Sequence, residues 1–172
     1  ILAAARGADG QPLKRAAAQL GIDLQALDAA ETAALLTVDG ELVAFRHPLV
    51  RSACYRGADP KARREAHAVL AEVLDTDHDI ERHAWHLALA SVSANEATAR
   101  TLMEAAHRAR ERGANRSQVE LLARAAELTP DAEERGRRHL HACGAASMVA
   151  DRARVAQLIE RARMSITAPN LL

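Results

Sequence analysis

The chain has 172 residues, enough for one ordinary domain or two small ones, and 49% of them are hydrophobic although only 2% are aromatic. Its 23 basic residues balance its 23 acidic residues, so no net charge directs it toward nucleic acid or an anionic membrane. Alanine is abundant, which favours helices whose cores are built from leucine, valine and closely packed small side chains.

Residues 1–57 are predicted to form a small winged-helix domain. The segment PLKRAAAQLG is typical of a short helix with Pro12 near its start and Gly21 at its end. A second helix is predicted over LQALDAAETAALL, in which Leu24, Leu27, Ala30, Ala34 and Leu35 lie near one face. In LTVDGELVAF, two apolar runs flank Asp39-Gly40, a dipeptide typical of tight hairpin turns. Helices followed by a hairpin are the order of a winged helix.

Residues 58–172 are predicted to be helical throughout. Pro48 fits the first turn of a helix and should hold His47 extended, and Asp59-Pro60 repeats this arrangement before KARREAHAVLAEVL. The cysteines, Cys54 and Cys143, are too far apart in sequence for a CxxC metal site, and we interpret them as small buried side chains of a cytoplasmic protein.

The second region contains an internal repeat. A shift of 36 residues places one set of apolar positions on another and Asn115 on Asp151 as helix N-caps. The superposed positions are Val119, Leu122 and Ala126 on Val155, Leu158 and Ala162. This period is in the tetratricopeptide (TPR) range, so we expect antiparallel TPR-like helical hairpins that begin a solenoid. The predicted fold is therefore mostly α with one β-hairpin.

Two patterns could carry chemistry. In DTDHDIERHAWH, His83 and His86 would share a helix face, and with His78 they could bind a metal. The more common explanation of such a segment is a polar turn before a helix whose Trp85 packs inward. The chain has neither a phosphate-binding GxxxxGK loop nor a GxSxG nucleophile elbow, and ALDAAETAALL lacks the basic residues of a DNA-reading helix. We therefore expect no enzyme activity and no direct nucleic-acid contact.

The segment VAFRHPLVRSACY places Arg46, His47 and Arg51 around a rigid Pro48. Six Lys or Arg residues against two acidic residues occupy positions 46–67. These side chains could simply be a charged helix surface, or they could face an anion on a partner domain. The residues themselves favour neither interpretation.

The motifs FRHPLVRSACY, RREAHAVLAEVL and RHAWHLALA, with ERGANRSQVELLARAAELTPDAEERGRRHLHACGAA after them, resemble one family. They are similar to the large ATP-binding LuxR-family transcriptional regulators of actinobacteria, which are STAND-class signalling NTPases. The resemblance covers essentially the whole chain. The excess of arginine over lysine also fits a GC-rich genome.

The resemblance implies a regulatory segment of a longer protein. In this family a P-loop ATPase precedes the winged helix, and a LuxR-type DNA-binding domain follows a TPR-like sensor. The first residues, ILAAARGADG, contain no methionine, so we expect a fragment that lacks both flanking domains. It would bind no cofactor alone, whereas the parent would bind ATP or ADP. Expected partners are the ATPase and DNA-binding domains, and an inducer or regulatory protein on the concave face of the helical arm, with no membrane contact.

The resemblance also implies a role for His47. In related STAND proteins, a histidine at the end of the winged helix contacts the β-phosphate of ADP and holds the closed, inactive state. His47 matches that position, and Arg46 is a second candidate nucleotide contact. Phe45 and Tyr55 would then be core anchors that orient the histidine. The alternative is a stand-alone TPR-like adaptor, which a Walker A motif encoded upstream would exclude.

Overall fold

A computed structural model describes residues 4–5, 10–39 and 42–167 of the chain. Within these residues there are nine helices and one two-stranded antiparallel sheet, which confirms the prediction of a mostly helical chain with one β-hairpin. The chain divides into two compact units, and the division falls between Asp79 and Ile80. No described helix is both long and apolar enough to cross a membrane.

The first unit contains four helices and the hairpin among its described residues. In chain order these are α1 (Gly10–Gln19), α2 (Ala26–Thr32), β1 (Leu36–Asp39), β2 (Leu42–Phe45), α3 (Pro48–Gly57) and α4 (Pro60–Val73). One small core joins Leu13 of α1 to Leu36 and Val43 of the hairpin. The sheet is therefore held to the helices through a single apolar face.

The hairpin has a two-residue connection. Leu36 pairs with Phe45 at one end and Asp39 with Leu42 at the other, so Asp39 is the last residue of β1 and not a central turn residue. Gly40, the other half of the predicted Asp39-Gly40 turn, lies outside the described residues. The predicted strand order and antiparallel pairing are confirmed.

Helix α2 is shorter than predicted. It ends at Thr32, and Ala34 has a φ of +55°, in the left-handed region, while the N–H of Leu35 donates to the Ala30 carbonyl at 3.0 Å. This geometry satisfies the last carbonyls of a helix and usually uses glycine. The prediction that the helix reaches Leu35 is wrong, because the chain must turn here so that Leu36 enters the hairpin core.

The structure groups α4 with the first unit. Ala66, Leu70 and Val73 of α4 form a buried cluster with Ala16 of α1 and with Ala4 and Ala5. Asp59 caps α4 as expected, since its carboxylate accepts hydrogen bonds from the backbone N–H groups of Lys61 and Ala62. The sequence-based boundary after residue 57 therefore separates α4 from residues on which it packs.

The second unit is a series of helices in which neighbours along the chain pack together. They are α5 (Ile80–Ala90), α6 (Glu96–Glu111), α7 (Asn115–Glu127), α8 (Ala132–Met148) and α9 (Arg152–Thr167). Their shared core consists mainly of alanine and leucine, and includes Leu102, Leu122 and Leu158. The composition therefore predicted the kind of core correctly, because small side chains let the helices approach closely.

The starts of α7 and α9 differ by one residue from the 36-residue superposition. Asp151 caps α9, since its carboxylate accepts from the N–H of Arg154 at 3.0 Å. The N-cap of α7, however, is Ala114, which makes no side-chain cap bond, and Asn115 is the first helical residue. The prediction of Asn115 as a cap is wrong, because the carbonyl of Ala114 already accepts the bond from Gln118 that begins the helix.

Candidate functional site

His47 connects the hairpin to α3 and is the N-cap of that helix. Its backbone is extended, with φ −138° and ψ +136°, and Pro48 is the first helical residue, as the sequence predicts. The Nδ1 atom of His47 accepts a hydrogen bond from the N–H of Leu49 at 3.1 Å. A neutral imidazole that accepts at Nδ1 carries its proton on Nε2. Since His47 is exposed, this N–H donor is open to solvent.

Two arginines flank this imidazole along the chain. The backbone N–H of Arg46 donates to the Leu35 carbonyl at 3.1 Å, which fixes the main chain, while its side chain is exposed. Arg51 follows His47 by one helical turn, and its N–H donates to the His47 carbonyl at 3.4 Å. Neither guanidinium group makes an ion pair within the described part of the chain. The segment therefore carries three side chains that can each donate a hydrogen bond.

Tyr55 attaches α3 to α4. Its hydroxyl lies 2.8 Å from Nε2 of the buried His67, and the two rings meet edge to face with centroids 5.8 Å apart. The guanidinium carbon of Arg63 is 5.3 Å from the Tyr55 ring centroid. Phe45, at the end of β2, is half-buried opposite Leu36. Tyr55 is thus an anchor of the helix that His47 caps, and its effect on the imidazole stays a prediction.

The histidine-rich segment divides between the two units. In the first, Nδ1 of His78 lies 2.8 Å from Oδ2 of Asp75, and this contact raises the pKa of His78 and lowers the pKa of Asp75. In the second, His86 is buried within α5. The described residues contain no group of three or more His, Cys, Asp or Glu that could hold a metal.

Cys54 is exposed, so its interpretation as a buried side chain is wrong. It lies on α3, and the structure shows no fully buried residue on that helix. Cys143, on α8, is half-buried against the core of the second unit.

A buried arginine organises the second unit. Arg138 of α8 is only 9% exposed, and its guanidinium donates to Glu96 of α6 at 2.7 and 3.1 Å, to Glu134 at 3.1 Å and to the Thr129 hydroxyl at 2.7 Å. Glu96 thereby has a lowered pKa, mainly because Arg138 bonds to it. This network joins residues 42 positions apart in sequence, so neither residue type nor local spacing predicted it.

Ion pairs also join α7 to α9 at a constant separation. Arg154 donates to Glu120 at 2.7 Å, and Arg161 pairs with Glu127, and in both cases 34 residues separate the partners. A regular side-chain connection between alternate helices is what a helical repeat would produce.

His139 of α8 is a buried, unpaired imidazole. It is 3% exposed, and its Nδ1 has no hydrogen-bond partner among the described atoms. Burial lowers the pKa of His139, and the positive charges of Arg161, Arg135 and Arg154 lower it further, against an opposing effect of Glu127. The neutral form of His139 therefore predominates in the folded unit at neutral pH.

We expect this histidine to make the second unit sensitive to acid. Because the folded pKa lies below the ordinary value of about 6.5, the unfolded chain takes up a proton first as the pH falls. The free energy of unfolding should then decrease below that pH, by at most about 1.4 kcal/mol per pH unit for one proton. Denaturant titrations of wild type and His139→Leu between pH 8 and 5 should show a shallower loss in the variant. Equal slopes would contradict this assignment.

A groove lies on another face of α8. It has a volume of about 480 Å³ and lies between the end of α6, the first turn of α7 and the second half of α8. It is lined by Arg110, Asn115, Gln118, Leu140, His141, Gly144, Ala145 and Met148. No local pattern predicted that these residues line a groove, although Gly144, an isolated glycine inside a helical pattern, was an available signal.

Comparison of the chain with protein-family models, with curated proteins and with solved structures finds no match. The resemblance to ATP-binding LuxR-family regulators therefore depends on the sequence motifs alone.

Proposed function

We propose that this chain is a non-catalytic, cytoplasmic regulatory segment of an ATP-dependent LuxR-family transcriptional regulator. Its first unit would act as the winged helix, and its second unit as the start of a TPR-like sensor arm that binds an inducer or a partner protein. ADP would be held by the ATPase domain of the longer protein, with His47 and Arg46 as contacts from this chain.

The geometry of His47 carries the proposal. The hydrogen bond at Nδ1 fixes the tautomer and the direction of the ring, so the exposed Nε2–H is held ready to donate to an anionic oxygen. A donor positioned before binding loses less conformational entropy when the ligand arrives. Arg46 and Arg51 add positive charge without a carboxylate partner among the described residues to neutralise them.

The location of His47 suggests how nucleotide state could be read. The histidine begins α3, and the Tyr55–His67 pair holds α3 on α4. A phosphate that binds the imidazole would favour the arrangement in which α3 faces the ATPase domain. Loss of that contact would shift the population toward an open arrangement, and an inducer on the arm would bias the same equilibrium.

A second candidate function is a stand-alone protein-interaction adaptor. The ion pairs at 34-residue separation and the sequential packing of α6 to α9 favour it, since these features suit a helical repeat with no nucleotide function. The sequence encoded upstream separates the candidates, because only the regulator requires a Walker A motif there.

Replacing His47 should separate its role as the N-cap of α3 from its proposed role as an ADP contact. His47→Ala removes both the imidazole and the cap, so it should destabilise the first unit by about 1 kcal/mol and weaken ADP binding in the longer protein. His47→Asn keeps a good N-cap residue, so it should leave stability nearly unchanged and still weaken ADP binding. Thermal unfolding and ADP affinity, measured on both variants, test this expectation.

His47→Asn distinguishes a helix cap from an ADP contact. If His47→Asn retains ADP as well as wild type while His47→Ala does not, the histidine is only a helix cap. We expect both variants to raise basal transcription, because the closed state would lose its phosphate contact. Unchanged ADP affinity and unchanged basal transcription in both would refute the assignment of His47.

A further inference from the structure

The groove on α8 combines an apolar stripe with positive charge. Leu140, Gly144 and Met148 follow one another at four-residue intervals, so they lie along one face of the helix. Leu140 is 50% and Met148 86% exposed, so both side chains are accessible to a ligand in the groove. An exposed methionine can adapt its shape to a bound apolar group.

The polar side of the groove lacks negative charge. None of the eight described residues that line it is acidic, and the side chains of Arg110 and His141 make no ion pair or hydrogen bond within the described residues. This contrasts with Arg112, Arg138 and Arg154 of the same unit, each of which is paired with a glutamate. The N-terminus of α7, which opens beside the groove at Asn115, adds to the positive potential. The groove is therefore complementary to an anion.

Gly144 keeps the groove open at the expense of helix stability. A glycine inside a helix costs about 1 kcal/mol relative to alanine. At Gly144 a Cβ atom would meet no atom within 4 Å, and this residue does not have the positive φ found at Gly21 and Gly113. Neither backbone geometry nor packing requires glycine here. A side chain larger than a methyl group would narrow the groove, so the small residue at this position leaves room for an occupant.

We propose that this groove binds a small organic carboxylate with an apolar body. The carboxylate pairs with Arg110, beside His141, and the apolar part covers Gly144 between Leu140 and Met148. The volume of about 480 Å³ lies within the range of small-molecule sites. This inference rests on the proposed role of the second unit as a ligand-binding arm, and it names the chemical class of that ligand.

Decanoate is a suitable probe for the 172-residue chain, with decyltrimethylammonium as the matched cation. Amide chemical shifts recorded during titration should show saturable decanoate binding, with the changes concentrated at residues 110, 115, 118 and 140–148. The cation should bind at least about tenfold more weakly, because Arg110 would repel it. Arg110→Gln should weaken decanoate binding about tenfold, whereas Arg108→Gln, an exposed arginine of the same helix outside the groove, should not.

Substitutions at Gly144 provide a test that does not depend on charge. Gly144→Leu should abolish binding without unfolding the chain, since space is open in front of Cα. Gly144→Ala should bind within about threefold of wild type and be slightly more stable. The proposal is overturned if decanoate does not bind, if acid and cation bind equally, or if Gly144→Leu binds normally. Binding of an acidic peptide but not of decanoate would assign the groove to a protein segment instead. These outcomes do not depend on the His47 variants, which are measured through ADP.

Discussion

Leu122→Ala should lower the free energy of unfolding of the second unit by about 3–5 kcal/mol. Leu122 is 1% exposed in the middle of α7, within the core that α7 shares with the other helices of the unit. Ten of the sixteen buried residues of that core are alanine, whose short side chains cannot extend into the cavity. Denaturant unfolding followed by the fluorescence of Trp85, which packs on the same core, measures the change.

Leu140→Ala is the matched control for this replacement. The chemical change is the same, but half of the Leu140 side chain is already in water, so the loss should be below about 1 kcal/mol. Similar losses in the two variants would mean that α7 is not central to the core of this unit.

Arg138→Ala should destabilise the second unit by roughly 2–4 kcal/mol. The replacement leaves Glu96 and the buried Thr129 hydroxyl without their bonds to the guanidinium group, and removes the connection between α6 and α8. Because Glu96 keeps partial contact with water, the lower part of this range is expected. The same unfolding titration at neutral pH measures the effect.

Arg137→Ala is the control at the adjacent position. Arg137 is exposed and pairs only with glutamates of its own helix, so its loss should cost less than about 0.5 kcal/mol.

The free energy of unfolding measured as a function of acidic pH provides a second test of Arg138. The lowered pKa of Glu96 stabilises the fold above the ordinary glutamate pKa, and this contribution is lost as the pH falls through the folded pKa. Arg138→Ala should flatten that part of the profile, and Arg137→Ala should not.

Local patterns predicted most of the secondary structure. The structure agrees with the helix starts predicted at Pro48 and Asp59 and with the helix predicted from the apolar spacing of α6. Each of these signals depends on residues that are close together in the sequence. One exception arises where alanine takes a role that usually belongs to glycine. Ala34, with a φ of +55°, follows the end of α2, and its sequence gives no signal of this.

The candidate sites were predictable only in part. The extended backbone of His47 follows from the proline after it, and the structure confirms it. The Tyr55–His67 pair, the Arg138 network and the groove each join residues from different elements. Such contacts depend on how helices pack and not on spacing within a helix. The only local signal for the groove is Gly144, and a single glycine inside a helical pattern is not specific to a binding site.

The two units differ in their natural spectroscopic labels. The chain has one tryptophan and one tyrosine, and Trp85 packs on the core of the second unit while Tyr55 packs on that of the first. Fluorescence excited where only the indole of Trp85 absorbs therefore reports unfolding of the second unit. The signal of the Tyr55 phenol reports unfolding of the first unit. A single unmodified sample can thus reveal whether the halves melt together or in sequence. That distinction would show how strongly each half depends on the other.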